Sequence, residues 1–137
     1  MVATDDSWQV AREGRVRMAE WYDGETYDAT VDEHAIAWRP ADVTDPPRGN
    51  PRLVAQYGAP VRAQRTMHPV AVTTAPSGEL VYDFGQNFAG VVHARVRGRH
   101  GQTVTFRHAE VLVDDELFVT SLRTAKATAT YTCVDGD

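Results

Sequence analysis

From Val61 onward, apolar and polar residues alternate with a period of two, the pattern of strands that bury one face. In Val92-His93-Ala94-Arg95-Val96-Arg97 one face carries Val, Ala and Val, and the other carries His, Arg and Arg. In Val104-Thr105-Phe106-Arg107-His108 the face with Val104 and Phe106 points inward while Thr105 and Arg107 point out. Five strands are predicted, over 61–73, 79–84, 89–98, 102–112 and 126–133. Gly98-Arg99-His100-Gly101 is the expected hairpin turn between the third and fourth, and Asp114-Asp115-Glu116 reads as a solvated hairpin tip. Thr128, Thr130 and Thr132 alternate with Ala and Tyr, a pattern that an edge strand tolerates. No segment has the length and periodicity of an amphipathic helix, although Val119 to Lys126 has room for one turn. The expected fold is all-β, an antiparallel sandwich of jelly-roll or concanavalin-like type, with a short β segment at the N-terminus.

The N-terminal part reads differently. Trp8-Gln9-Val10 and Val16 to Tyr22 form two short strands around a turn at Glu13-Gly14, and a second turn falls at Asp23-Gly24, where positive φ is tolerated. Two strands alone are marginal in water, so they either lean on the later domain or close another module. A short helical turn is expected between Asp32 and Trp38. Pro40, Pro46, Pro47 and Pro51, with Gly49 and Asn50, break regular structure and mark a linker. The resulting division is 1–38 as the closing strands of a preceding β-sandwich, 39–60 as linker, and 61–137 as the main sandwich.

Composition narrows the function classes. A length of 137 residues allows one core. The net charge of -5 argues against nucleic acid as a partner, since phosphate binding needs a clustered basic face. Arg12, Arg15 and Arg17, and likewise Arg95, Arg97 and Arg99, sit at alternate strand positions and read as solvated faces. Cys133 is the single cysteine, which rules out an internal disulfide and argues against a cysteine-based zinc site. Apolar runs are far shorter than the ~20 residues that cross a bilayer, and no signal-like segment opens the chain, so no membrane partner is expected. Low cysteine content leans toward the cytoplasm, although secreted bacterial proteins share it.

Candidate chemistry lies in two stretches. In Trp21-Tyr22-Asp23-Gly24-Glu25-Thr26-Tyr27-Asp28, Tyr22 can stack on a ligand while Asp23 and Glu25 bind hydroxyls or Ca²⁺. No known calcium loop is matched, and no cofactor is expected. In Asp83-Phe84-Gly85-Gln86-Asn87-Phe88-Ala89-Gly90 the polar side chains close a turn and the phenylalanines anchor it, which leaves Asp83, Gln86 and Asn87 as candidates for sugar binding or domain contact. Nothing suits a serine nucleophile or a phosphate loop, and His68, His93 and His108 fall on different strands.

Taken together, Trp21 to Ala29, Val81 to Gly90, Phe106-Arg107-His108-Ala109-Glu110-Val111-Leu112 and Leu122 to Thr128 resemble blocks of the bacterial α-L-rhamnosidases of glycoside hydrolase family 78, in the family's order. The resemblance implies a multi-domain inverting hydrolase that releases terminal α-L-rhamnose from glycosides. It further implies that this chain corresponds to the non-catalytic sandwiches preceding an (α/α)6 catalytic domain. The expected partner is that helical domain of the same parent chain, and the parent's expected substrates are rhamnosyl glycosides. The catalytic acid and base belong to the helical domain, so no catalytic or metal-binding residue carries over, and the chain alone is not expected to be catalytic. Val91 departs from the family, where many members have Trp. Relatives continue beyond the position of Asp137 with another strand, so an exposed sheet edge is expected. The alternative reading is a rhamnose-binding module built on the two polar stretches.

Overall fold

The computed structural model describes residues 5–45, 48–49, 51–52 and 54–136. The N-terminal residues 1–4 and the linker residues Pro46, Pro47 and Asn50 lie outside the described residues. The architecture is all-β, with ten strands and two 3-10 turns among the described residues. The strands are β1 (Gln9–Val10), β2 (Val16–Glu20), β3 (Gly24–Asp28), β4 (Arg39–Pro40), β5 (Ala71–Thr74), β6 (Leu80–Asp83), β7 (Thr103–Arg107), β8 (Leu112–Val113), β9 (Glu116–Leu117) and β10 (Thr128–Thr132).

The organising element is a four-stranded sheet in the order β2-β3-β10-β7. The N-terminal strands lean on the later part of the chain: β3 pairs in parallel with β10 from Gly24↔Thr128 to Asp28↔Thr132. β7 pairs antiparallel with the other edge of β10, from Thr128↔Arg107 to Thr132↔Thr103. The Thr-rich strand is therefore central, contrary to the edge expectation. Its threonines suit that place because they share one sheet face with Thr26, Thr103 and Thr105, so that Thr26, Thr130 and Thr105 form one cross-strand row. The opposite face carries Glu25, Tyr27, Phe106, Ala129, Tyr131 and Val104, and the Tyr27 and Tyr131 rings stack at 5.5 Å with planes 3° apart.

Local chemistry sets the turns. β2 and β3 are joined by Trp21-Tyr22-Asp23, where the Glu20 carboxylate accepts from the amides of Tyr22 (2.7 Å) and Asp23 (3.0 Å). A bulge lies between Val16 and Met18. β1 pairs with β4 and β2 with β3, so Glu13-Gly14 lies in a connection between strands that do not pair with each other, and no hairpin forms there. The helical turn expected after Asp32 is a 3-10 turn at Glu33–Ala35, capped by the Asp32 carboxylate accepting from the His34 amide at 2.9 Å. A second 3-10 turn, Thr120–Leu122, falls in the stretch that has room for one turn. β8 and β9 form the hairpin whose tip is Asp114-Asp115, with φ of 51° and 61°, the left-handed pair that a two-residue hairpin needs.

Two predicted strands differ. Of 61–73 only residues 71–73 join a ladder, the β5–β6 hairpin, whose first strand runs on to Thr74. The segment 89–98 joins none, and the turn after it, closed by the Gln102 amide donating to the Arg99 carbonyl at 2.9 Å, leads into β7, which pairs with β10 instead. Alternation reports which side chains are to be buried, and a ladder also needs a partner at the right height. Here the residues of 92–96 lie across the apolar sheet face, lining a shared cleft with it, and do not sit beside its edge.

The core is thin. Among the described residues the buried apolar side chains are Ala29, Ala75, Val81 and Cys133. The accessible surface is 12186 Å², against roughly 7,100 Å² expected of a compact 15.1 kDa domain.

Candidate functional site

The first candidate stretch sits at the turn between β2 and β3. Tyr22 projects into solvent with 73% of its surface exposed, and neighbouring Trp21 is 92% exposed. Asp23 is held from both sides: its carbonyl accepts from the Thr128 amide at 3.0 Å, and its carboxylate receives the Lys126 ammonium at 3.2 Å. Gly24, with φ of 106°, follows because a Cβ there would stand 2.1 Å from the Thr128 carbonyl oxygen. Glu25 then points to the aromatic face of the sheet.

In the second stretch, the Asp83 carboxylate accepts from the Gly85 amide at 2.7 Å, closing an Asx-type turn, while its carbonyl accepts from the Val70 amide at 2.7 Å. Gly85 takes φ of 73° there. The Gln86 amide oxygen accepts from Arg65 at 3.1 Å, and Phe84 meets Phe88 edge-on at 5.5 Å. Asn87 is exposed. Among the described residues no hydrogen bond, ion pair or ring contact joins Tyr22, Asp23 or Glu25 to Asp83, Gln86 or Asn87.

The sequence reading missed two clefts. One, of about 370 Å³, lies between the sheet and residues 92–96 and is lined by Glu25, Tyr27, Arg95, Phe106 and Tyr131 together with Val92 and Val96. Its signal was the inward alternation of Tyr27, Phe106 and Tyr131, but only the β3–β10–β7 register brings these rings together. The other, of about 540 Å³, lies by Arg15, Glu33, Ile36 and Trp38. Arg15 ties the two regions: its Nε donates to the Val31 carbonyl at 3.2 Å, and hydrogen bonding to Tyr27, followed by the charge of Glu33, raises its pKa against the opposing effect of desolvation.

The carboxylates with displaced pKa values, Asp5 and Asp28, are both pushed down. The Ser7 hydroxyl and amide do this for Asp5, and the Thr30 hydroxyl (2.6 Å) and amide (3.0 Å) for Asp28. A general acid needs the opposite displacement. No group of three or more His, Cys, Asp or Glu suited to a metal ion occurs among the described residues.

The model of the alpha-L-rhamnosidase N-terminal domain matches residues 1–81, more than half of the chain. The chain belongs to the alpha-L-rhamnosidase family. The model of the bacterial alpha-L-rhamnosidase concanavalin-like domain takes over at residues 73–137. An alpha-L-rhamnosidase of Streptomyces avermitilis is 38% identical over 96% of this chain, and one of Alteromonas sp. is 30% identical over 93%. Among solved structures, the native α-L-rhamnosidase of Aspergillus terreus superposes with a TM-score of 0.80 at 31% identity over 99% of this chain. The Streptomyces avermitilis enzyme in complex with L-rhamnose superposes with a TM-score of 0.73 at 40% identity over 88%. The chain spans only 13% and 15% of the two curated relatives, and 16% and 12% of the two solved chains. It corresponds to a small β region of far longer rhamnosidases.

Proposed function

We propose that this chain is a non-catalytic β region of an α-L-rhamnosidase, bracing a helical catalytic domain of the same polypeptide that releases terminal α-L-rhamnose from glycosides. The carrying observation is the surface: 12186 Å² stays accessible around a thin core, with Trp21, Tyr22, Val91 and Val92 exposed. Accessible surface well above that of a compact domain of this mass, with these apolar side chains on it, supports a region that is covered by protein. Incubating the purified 137-residue chain with an aryl α-L-rhamnoside should release no more phenol than a mock preparation. Turnover above that background overturns the proposal.

A second reading, a rhamnose-binding region, is favoured by one feature: Glu25, Arg95, Tyr27 and Tyr131 line one open cleft. Carboxylates, guanidinium groups and aromatic rings are the groups that hold sugars. In this reading Tyr22, Asp23 and Glu25, or Asp83, Gln86 and Asn87, contribute hydroxyl contacts. Calorimetry with L-rhamnose, with and without Ca²⁺, tests it, and the absence of heat at millimolar sugar discards it.

A further inference from the structure

The larger of the two clefts, about 540 Å³, takes no part in either reading above. Its walls come from two places in the chain: residues 11–16, which lead from β1 into β2, and the stretch from Glu33 to Trp38, which leads from the 3-10 turn to β4. Part of its polar lining is already spent. Arg15 donates to the Val31 carbonyl, hydrogen-bonds Tyr27 and stands 3.8 Å from the Glu33 carboxylate, so its charge is balanced within the chain. Arg12, by contrast, is exposed, and among the described residues its guanidinium has no hydrogen-bonding or ion-pairing partner. The successive amides of Arg12, Glu13 and Gly14 also make no hydrogen bond among the described residues. Trp38 keeps 54% of its surface accessible, and a Cβ added at Gly14 would meet nothing within 4 Å.

The unspent groups define a ligand. A guanidinium and a run of free amides outnumber the one unpaired carboxylate of the lining, Glu13, and such donors are the groups from which anion sites are built. A bare anion leaves the indole of Trp38 unused. A pyranose ring can lay its C–H face on that indole while its hydroxyls donate to Glu13 and to the half-exposed Glu33. The volume falls within the roughly 300–1,000 Å³ of ligand clefts. We infer that this cleft binds a carboxylate-bearing sugar, a hexuronate, with the carboxylate on Arg12 and the ring over Trp38. An acidic peptide is a poorer occupant, because its further carboxylates come up against Glu13 and Glu33. The site stands whether or not the chain braces a catalytic domain.

The test is calorimetry with the 137-residue chain and D-glucuronate, which should give heat at millimolar sugar. The methyl ester of the same sugar, which lacks the charge, should bind about tenfold more weakly, as should D-glucose. Arg12→Gln should weaken the uronate about tenfold and erase its advantage over the ester, and Arg12→Lys should restore part of that advantage. Trp38→Ala should weaken uronate and ester alike, and Trp38→Phe should recover both. Arg97→Gln, which removes an exposed arginine that lines neither cleft, should change nothing. The absence of heat at tens of millimolar uronate, equal binding of uronate and ester, or indifference to Arg12→Gln overturns the proposal, whatever the rhamnoside assay shows. Acetate or a short Glu peptide that binds as tightly as the uronate overturns the choice of a sugar. Displacement of the uronate by an equal concentration of L-rhamnose overturns the preference for a carboxylate.

Discussion

Gly24→Ala should be the most damaging of the simple glycine substitutions, because Gly24 is where the N-terminal hairpin meets the C-terminal strand. Two costs add. The backbone there has φ of 106°, which an L residue adopts at a strain of about 1–2 kcal/mol. The new Cβ would also lie 2.1 Å from the Thr128 carbonyl oxygen and 2.7 Å from its carbon, so the strands must part by roughly an ångström. That shift stretches the bonds from the Ala127 amide to the Tyr22 carbonyl (2.9 Å) and from the Thr128 amide to the Asp23 carbonyl (3.0 Å), each worth about 1 kcal/mol. The expected loss is about 3–4 kcal/mol, a large fraction of a stability that for a thinly packed chain of this length lies near ~7 kcal/mol. Two controls separate the terms. Gly78→Ala meets the same kind of strain, at φ of 87°, with nothing within 4 Å, and should lose about 1 kcal/mol. Gly14→Ala meets neither and should stay within about 0.5 kcal/mol of the parent. Urea unfolding followed by tryptophan fluorescence gives all three values. If Gly24→Ala loses no more than Gly78→Ala, the close approach of β3 to β10 is wrong.

The large residual surface predicts a shallow urea transition: unfolding exposes about two thirds of the area that a compact 137-residue domain would, so the m-value should be about two thirds of the size-based value. Cys133, with 0% of its surface accessible, should react with a thiol reagent only on unfolding, and rapid modification of the native chain would contradict its burial. Asp28 has a folded pKa below its unfolded value of 3.8, so its contribution is present above that value and is lost as pH falls through the folded pKa. In acid titrations followed by circular dichroism, the stability gap between the parent and Asp28→Asn should therefore close as the pH drops below about 3.8, and a gap that persists unchanged at lower pH would refute the assignment. Replacing the Asp114-Asp115 tip by Asn-Gly, which suits positive φ at both places, should raise stability by about 0.5–1 kcal/mol in the same urea assay.

What could be read from the sequence follows the reach of the interactions involved. The Asp23-Gly24 turn, the Asp114-Asp115 tip and the Asx turn at Asp83 are set by side chains one or two residues away, and the structure has all three. β6, β7 and β10 also lie within their expected spans, because alternation over five residues is a local property. The parallel pairing of β3 with β10 joins residues about a hundred positions apart, and nothing in either segment names the other. The central place of β10 and the meeting of Tyr27, Phe106 and Tyr131 were hidden for that reason. So was the tie between Asp23 and Lys126, which turns a candidate ligand carboxylate into half of an ion pair.

The disagreement at 89–98 has a different origin. Val104 and Phe106 alternate with polar residues and are half-buried in a ladder, whereas Val92 alternates just as regularly and remains 45% exposed with its backbone unpaired. An alternating pattern is costly to keep on a bare surface, where exposed valines favour aggregation and gain no packing. Val92, Ala94 and Val96 instead line, together with Arg95, the cleft over the apolar sheet face, so the segment meets that face with its side chains and forms no ladder with it. The strand expected at 89–98 is therefore absent from the structure, because alternation of side chains supplies no hydrogen-bonding neighbour by itself.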